Sequence, residues 1–139
     1  MLEKSCGTVP YTIKDGAIYY LLISSKDNKN RGFPKGHVEP GESETETALR
    51  ETLEETSLTV EILDGFRHEV TYTLYNGNIK TVVYFLADFG DKEPKRNAYF
   101  EDFKYLILPY EEAYSALTFD NAKELLEKAN EYLKKVLQP

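Results

Sequence analysis

The chain of 139 residues holds one cysteine, Cys6, and no tryptophan. A lone cysteine cannot close a disulfide within the chain; a reducing compartment fits, and a cytoplasmic protein is the expectation. Long apolar runs are missing too. Ala17 to Ile23 and Val82 to Ala87 are the longest, far below the ~18–20 residues of a membrane helix. The opening MLEKSCGTVP has no cationic stretch leading into an apolar core, so no signal peptide is expected. Repeats, low-complexity tracts and linkers are absent. With 41% hydrophobic and 29% charged residues, disorder, collagen and coiled coil are excluded, and one globular domain spanning 1–139 is expected.

Positive charge is scarce as well. Lys plus Arg number 17 against 24 Asp plus Glu, a net −7. Such a surface repels a phosphate backbone at long range, so nucleic acid is not the expected partner. Any phosphorylated ligand must be held by a few local cations and by metal ions bridging carboxylates to phosphates. Eleven tyrosines and seven phenylalanines supply core packing and candidate platforms for flat ligands.

Ser5 to Ile13 and Ala17 to Ser24 read as strands joined over Asp15-Gly16, a hairpin signal. Ser25 to Gly36 is polar and punctuated by Gly and Pro, hence loop. Ser43-Glu44-Thr45-Glu46 is a capping box, and it predicts a helix from Glu44 to about Thr56. Leu58 to Leu63, Phe66 to Tyr75 and Ile79 to Asp88 read as strands, the last two paired over Asn76-Gly77. Phe103 to Leu108 is a further strand ended by Pro109. Asp120 to Leu137 carries Ala122, Leu125, Leu126, Ala129, Tyr132, Leu133 and Val136 at helical spacing. The fold class is therefore α/β (α+β), with a mixed sheet and helices.

On the helix, ~100° per residue from Arg50 puts Glu54 near 40°, Glu51 near 100° and Glu55 near 140°. All four share one arc, with Ala48, Leu49, Thr52 and Leu53 expected to face the core. Like charges at i,i+3 and i,i+4 cost roughly 0.2–0.5 kcal/mol per pair. Arg50 and divalent cations such as Mg²⁺ or Mn²⁺ would offset that cost, since hard oxygen ligands suit those ions. A solvated acidic face is the plain alternative. The wider spacing decides against it: Gly36, five residues, Glu42, seven residues, Arg50-Glu51, two residues, Glu54-Glu55. At background frequencies near 5–7%, six fixed positions coincide about once in ten million windows.

This segment resembles the Nudix box, Gly-x5-Glu-x7-Arg-Glu-U-x-Glu-Glu-x-Gly-U with U aliphatic. Leu58 matches its last position; Thr52 stands at an aliphatic site and Ser57 replaces the second Gly. Ser57 falls where the helix must stop in a left-handed conformation, at a cost of roughly 1 kcal/mol. The resemblance to Nudix hydrolases implies an α/β/α sandwich with a central catalytic helix and a C-terminal helix. It also implies hydrolysis of a nucleoside diphosphate linked to another group. Phe33 to Glu42, Ala48 to Thr52 and Lys80 to Ala87 look like the asymmetric diadenosine tetraphosphate hydrolases, the bis(5'-nucleosyl)-tetraphosphatases, over about Cys6 to Ala129.

Carried over, that resemblance implies metal ligation by Glu51, Glu54, Glu55 and the Gly36 carbonyl. Glu54 would be the base, with Glu51 as rival, and Arg50 would orient the glutamates together with Glu42. Lys35, His37 and Lys80 would reach the phosphate chain, and Tyr72 and Phe119 would sandwich a purine. Glu101 is the nearest candidate for a further acidic ligand. The implied reaction is attack of water on a tetraphosphate bridge, giving ATP and AMP. Within enzymes, the rivals are a 5'-RNA pyrophosphohydrolase and a nucleotide-sugar or ADP-ribose pyrophosphatase. Outside them stands a nucleotide sensor without catalysis, which has no need of the full carboxylate set. Cys6 reads as buried packing. Nothing demands a dimer, so a monomer is expected.

Overall fold

The computed structural model describes residues 2–95 and 103–137. In chain order the elements are β1 (Leu2–Lys14), β2 (Ala17–Ser24), β3 (Arg31–Gly32), β4 (Lys35–His37), α1 (Glu44–Thr56), β5 (Glu61–Thr73), β6 (Ile79–Asp88), β7 (Lys104–Pro109), α2 (Tyr110–Ala116) and α3 (Asp120–Leu137).

All seven strands form one mixed sheet, ordered β3-β2-β1-β6-β5, with β4 pairing β1 and β7 pairing β2. The β1–β6 pair is parallel, and β1–β2 and β5–β6 are antiparallel hairpins. Alternation along β1 and β6 sends side chains to two faces. Cys6, Val83 and Phe85 meet Ala48 of α1 on one face. On the other, Val9, Val82, Tyr84 and Leu86 pack with Leu125, Leu126, Ala129 and Leu133 of α3. That is the three-layer sandwich the resemblance implies. Both hairpin turns obey their signals: Asp15 and Gly16 have φ of 52° and 81°, and Gly77 at φ 86° closes the second.

Several expectations change. The Ser25–Gly36 loop contains β3 and β4, each too short to show a period of two, and β1 starts at Leu2 rather than Ser5. The two strands read over 58–75 are one long β5 with a bulge between Leu63 and Arg67. Gly65 adopts φ 99° there, and the Tyr132 hydroxyl occupies the space that a Cβ would take. Pro109 ends β7 but also caps a helix absent from the sequence reading, α2, whose first turn carries Glu111 and Glu112.

The core face of α1 is corrected as well. Thr47, Ala48, Thr52 and Thr56 are its buried residues, whereas Leu49 and Leu53 are exposed at 37% and 49%. Small side chains let the helix lie close on β1, where Thr8 and Thr52 hydroxyls bond at 2.8 Å. The buried threonines satisfy themselves on Ala48 and Thr52 carbonyls one turn back, as buried hydroxyls must.

Candidate active site

Helix α1 is built to hold its carboxylates in place. The Ser43 hydroxyl accepts the Glu46 N–H while the Glu46 carboxylate accepts the Ser43 N–H, so both halves of the capping box form. At the other end Ser57 adopts φ 64°, ψ 17° and its N–H bonds the Leu53 carbonyl, the left-handed stop expected of it. The Tyr105 hydroxyl on β7 donates to the Glu55 carbonyl, tying the last turn to the sheet edge.

Arg50 is the organiser. Its Nε and Nη2 donate to the two Glu42 oxygens at 2.6 and 3.0 Å. Nη1 donates to Glu51 at 2.7 Å and to Glu54 at 3.2 Å, and Nη2 also reaches the His37 carbonyl at 3.0 Å. Planar fork geometry makes such simultaneous contacts specific to arginine. The guanidinium holds the Glu42 carboxyl down to about 2, helped by the Glu39 N–H and Thr47.

Glu51 and Glu55 turn inward and Glu54 outward. The Glu51 side chain is 13% exposed and Glu54 46%. Glu51 lies over Gly36, where any Cβ would sit 2.0 Å from the carboxyl carbon; only glycine permits that approach. Gly7 does the same one strand over, since a Cβ there would meet the Pro34 carbonyl oxygen at 2.0 Å. Desolvation, then hydrogen bonding and charge from Glu51, push the Glu55 carboxyl up to about 8. Lys35 opposes this, and burial and Lys80 in turn push the Lys35 ammonium down.

Among the described residues no three acidic, His or Cys side chains converge as a ready-made metal cage, and Arg50 engages Glu51 and Glu54. The donor set nevertheless fits a divalent cation: the carboxylates are hard oxygen ligands, and, beyond burial, the Glu51 charge beside Glu55 raises the Glu55 carboxyl, a repulsion that a cation would relieve. Glu101 lies outside the described residues.

Beside the helix runs a cleft of about 820 Å³, lined by Lys35, Glu55, Tyr72, Tyr84, Arg31 and Phe119 among others. Tyr72 faces it from β5, on the same face of the sheet as Val82 and Tyr84 of β6, the side away from Ala48 of α1. Phe119, 53% exposed, stands just before α3. Tyr84 packs edge-on to Phe33 beneath them. His37 and Lys80 lie outside this lining, and His37 faces Glu3 at 3.7 Å. Cys6 is buried, and burial with Glu44 nearby pushes its thiol up, consistent with packing. Arg31, Tyr84 and Tyr105 had no role in the sequence reading, since their contacts join segments distant in sequence.

The chain is similar to several known proteins. The chain is 33% identical over 143 residues to the asymmetrical bis(5'-nucleosyl)-tetraphosphatase of Rattus norvegicus, covering 96% of this chain and 97% of that one. The Caenorhabditis elegans protein of the same name is 36% identical over 96 residues, 67% of this chain and 70% of that one. The crystal structure of a C. elegans Ap4A hydrolase binary complex superposes with a TM-score of 0.85 at 28% identity, covering 96% and 98% of the two chains. A family profile described as NUDIX domain matches residues 5–129, and the chain therefore belongs to the NUDIX family.

Proposed function

We propose that this chain hydrolyses a phosphoanhydride bond of a dinucleoside polyphosphate, diadenosine tetraphosphate in particular, to ATP and AMP. The observation that carries the reading is one continuous cleft bordered by the α1 carboxylate Glu55, the cation Lys35 and two aromatic rings, Tyr72 and Phe119. Such a cleft suits a ligand with a phosphate chain at one end and a flat base at the other. The relatives named above bear the same activity in their names.

Glu51, Glu54, Glu55 and the Gly36 carbonyl would hold Mg²⁺ or Mn²⁺. When bound, such ions neutralise phosphate charge, lower the pKa of water and stabilise the leaving group. Glu54, the most open of the three glutamates, accepts the proton of the attacking water. The oxygen of that water forms a bond to phosphorus as the bridging P–O bond breaks, and the electron pair leaves on the departing nucleotide. Arg50 keeps Glu51 and Glu54 aimed by pairing with both. Lys35, with His37 and Lys80 from outside the cleft lining, draws in the phosphate chain, and Tyr72 and Phe119 stack a base. Soluble, monomeric action in the cytoplasm completes the reading; no helix among the described residues is long and apolar enough to cross a membrane.

The test incubates the protein and Mg²⁺ with diadenosine tetraphosphate, 5'-triphosphate RNA, ADP-ribose and nucleoside triphosphates, and resolves the products. ATP plus AMP from the first alone is expected. Loss of one general base lowers rate by roughly 10²–10⁴, so Glu54→Gln should fall in that range. Full Mg²⁺-dependent activity in both Glu54→Gln and Glu55→Gln would end the proposal.

A further inference from the structure

We infer that Arg31 and Thr118 are positioning residues that fix where the Phe119 ring stands in the cleft, and that they thereby tune affinity for the base of the substrate. This rests on the dinucleotide reading above. Phe119 is an exposed cleft ring carried by a connection, between α2 and α3, rather than by a strand or helix. Left to itself, an exposed phenylalanine on a connection samples several orientations, and each immobilised orientation costs a ligand entropy on binding.

The connection is latched. The Arg31 N–H of β3 donates to the Thr118 hydroxyl at 3.1 Å, and that hydroxyl donates back to the Arg31 carbonyl at 3.3 Å. The Arg31 Nη1 donates to the Ala116 carbonyl at 3.1 Å, at the end of α2. On the far side, the Phe119 carbonyl accepts the N–H groups of Ala122 and Lys123, both at 3.1 Å, opening α3. Phe119 is thus pinned by the residue before it and by the turn after it, 85 or more positions from Arg31 in sequence.

The latch is costly. Arg31 Nε is buried and has no hydrogen-bond partner among the described residues, a burden of the kind that destabilises folds. An apolar residue of similar length would avoid it but could not bond Ala116. Arg31 also borders the cleft, so the latch forms part of the same wall as the ring it holds.

The experiment compares wild type, Thr118→Val, Thr118→Ser, Phe119→Ala and the Thr118→Val/Phe119→Ala double variant. Calorimetry with Mg²⁺ measures binding of ATP and of inorganic tripolyphosphate, which has the phosphates without a base; KM and kcat are read on diadenosine tetraphosphate. Base stacking on one ring is worth about a tenfold or greater change in affinity. Thr118→Val should weaken ATP binding and raise KM roughly three- to tenfold, with tripolyphosphate binding and kcat unchanged. Thr118→Ser, which keeps the hydroxyl, should restore both. In the Phe119→Ala background Thr118→Val should add nothing.

Additive losses, or equal losses for ATP and tripolyphosphate, would show that the latch supports the fold only and would overturn the inference. So would a Phe119→Ala effect on ATP with none from Thr118→Val. Were wild type to ignore adenine nucleotides altogether, the dinucleotide reading itself would fall, and this inference with it.

Discussion

Gly36 shows how a single missing atom shapes the site. Its conformation is one that any residue adopts; what excludes a side chain is the Glu51 carboxyl occupying the space of the Cβ. Gly36→Ala must push Glu51 away, and Glu51 is bonded to Arg50 at 2.7 Å. The expected result is a loss of activity of about 10²-fold or more, since misplacement near 1 Å at a reacting centre costs that much. Thermal stability should fall little, because Glu51 can swing outward. Steady-state kinetics beside a melting curve separate the two; unimpaired turnover in Gly36→Ala would show that Glu51 placement is irrelevant to the chemistry.

The inner face of helix α1 is Ala and Thr, so its caps add to a packing surface made of small side chains. Ser43→Ala removes one half of the capping box and should cost about 1 kcal/mol, read as a lower urea midpoint. Ser57→Gly has the opposite sign. A non-glycine residue at φ 64° is strained by about 1 kcal/mol, partly offset here by the Ser57 hydroxyl bond to the Lys95 carbonyl at 3.0 Å. A net gain of a few tenths of a kcal/mol is expected. A destabilised Ser57→Gly protein would mean that the Lys95 contact outweighs the backbone strain.

Across the whole molecule, Glu44 links three elements: Arg67 of β5 bonds it through Nε and Nη2 at 2.9 and 2.8 Å, and Lys4 of β1 at 2.6 Å. Arg67 first, then Lys4, hold the Glu44 carboxyl down from its ordinary 4.5 to about 2. A carboxyl lowered on folding stabilises the native state fully above its unfolded value, and that contribution fades as pH drops from about 4.5 through about 2. Urea midpoints measured from pH 6 to pH 2.5 should therefore decline for wild type. Arg67→Met should decline less over the same range, starting from a lower midpoint at pH 6. Parallel pH profiles for the two proteins would exclude this linkage. The partial exposure of both partners keeps the effect modest.

What the sequence determined by itself was local. The capping box, the two hairpin turns, the α3 stripe and the carboxylate arc of α1 depend on neighbours within a few residues, where periodicity and turn chemistry act directly. The Nudix spacing added the layer order, and Ser57 was legible as the helix stop. The tertiary structure alone decided which face of α1 is buried. Leu49 and Leu53 are the greasier residues, yet close packing against Thr8 and Cys6 admits only Ala and Thr. It also decided that β3 and β4 exist at all, since two- and three-residue strands draw their order from partners rather than from pattern. The joining of Lys35, Glu55, Tyr72 and Phe119 along one cleft belongs there too: strand, helix and connection bring together side chains up to 84 positions apart, and no local signal encodes that distance.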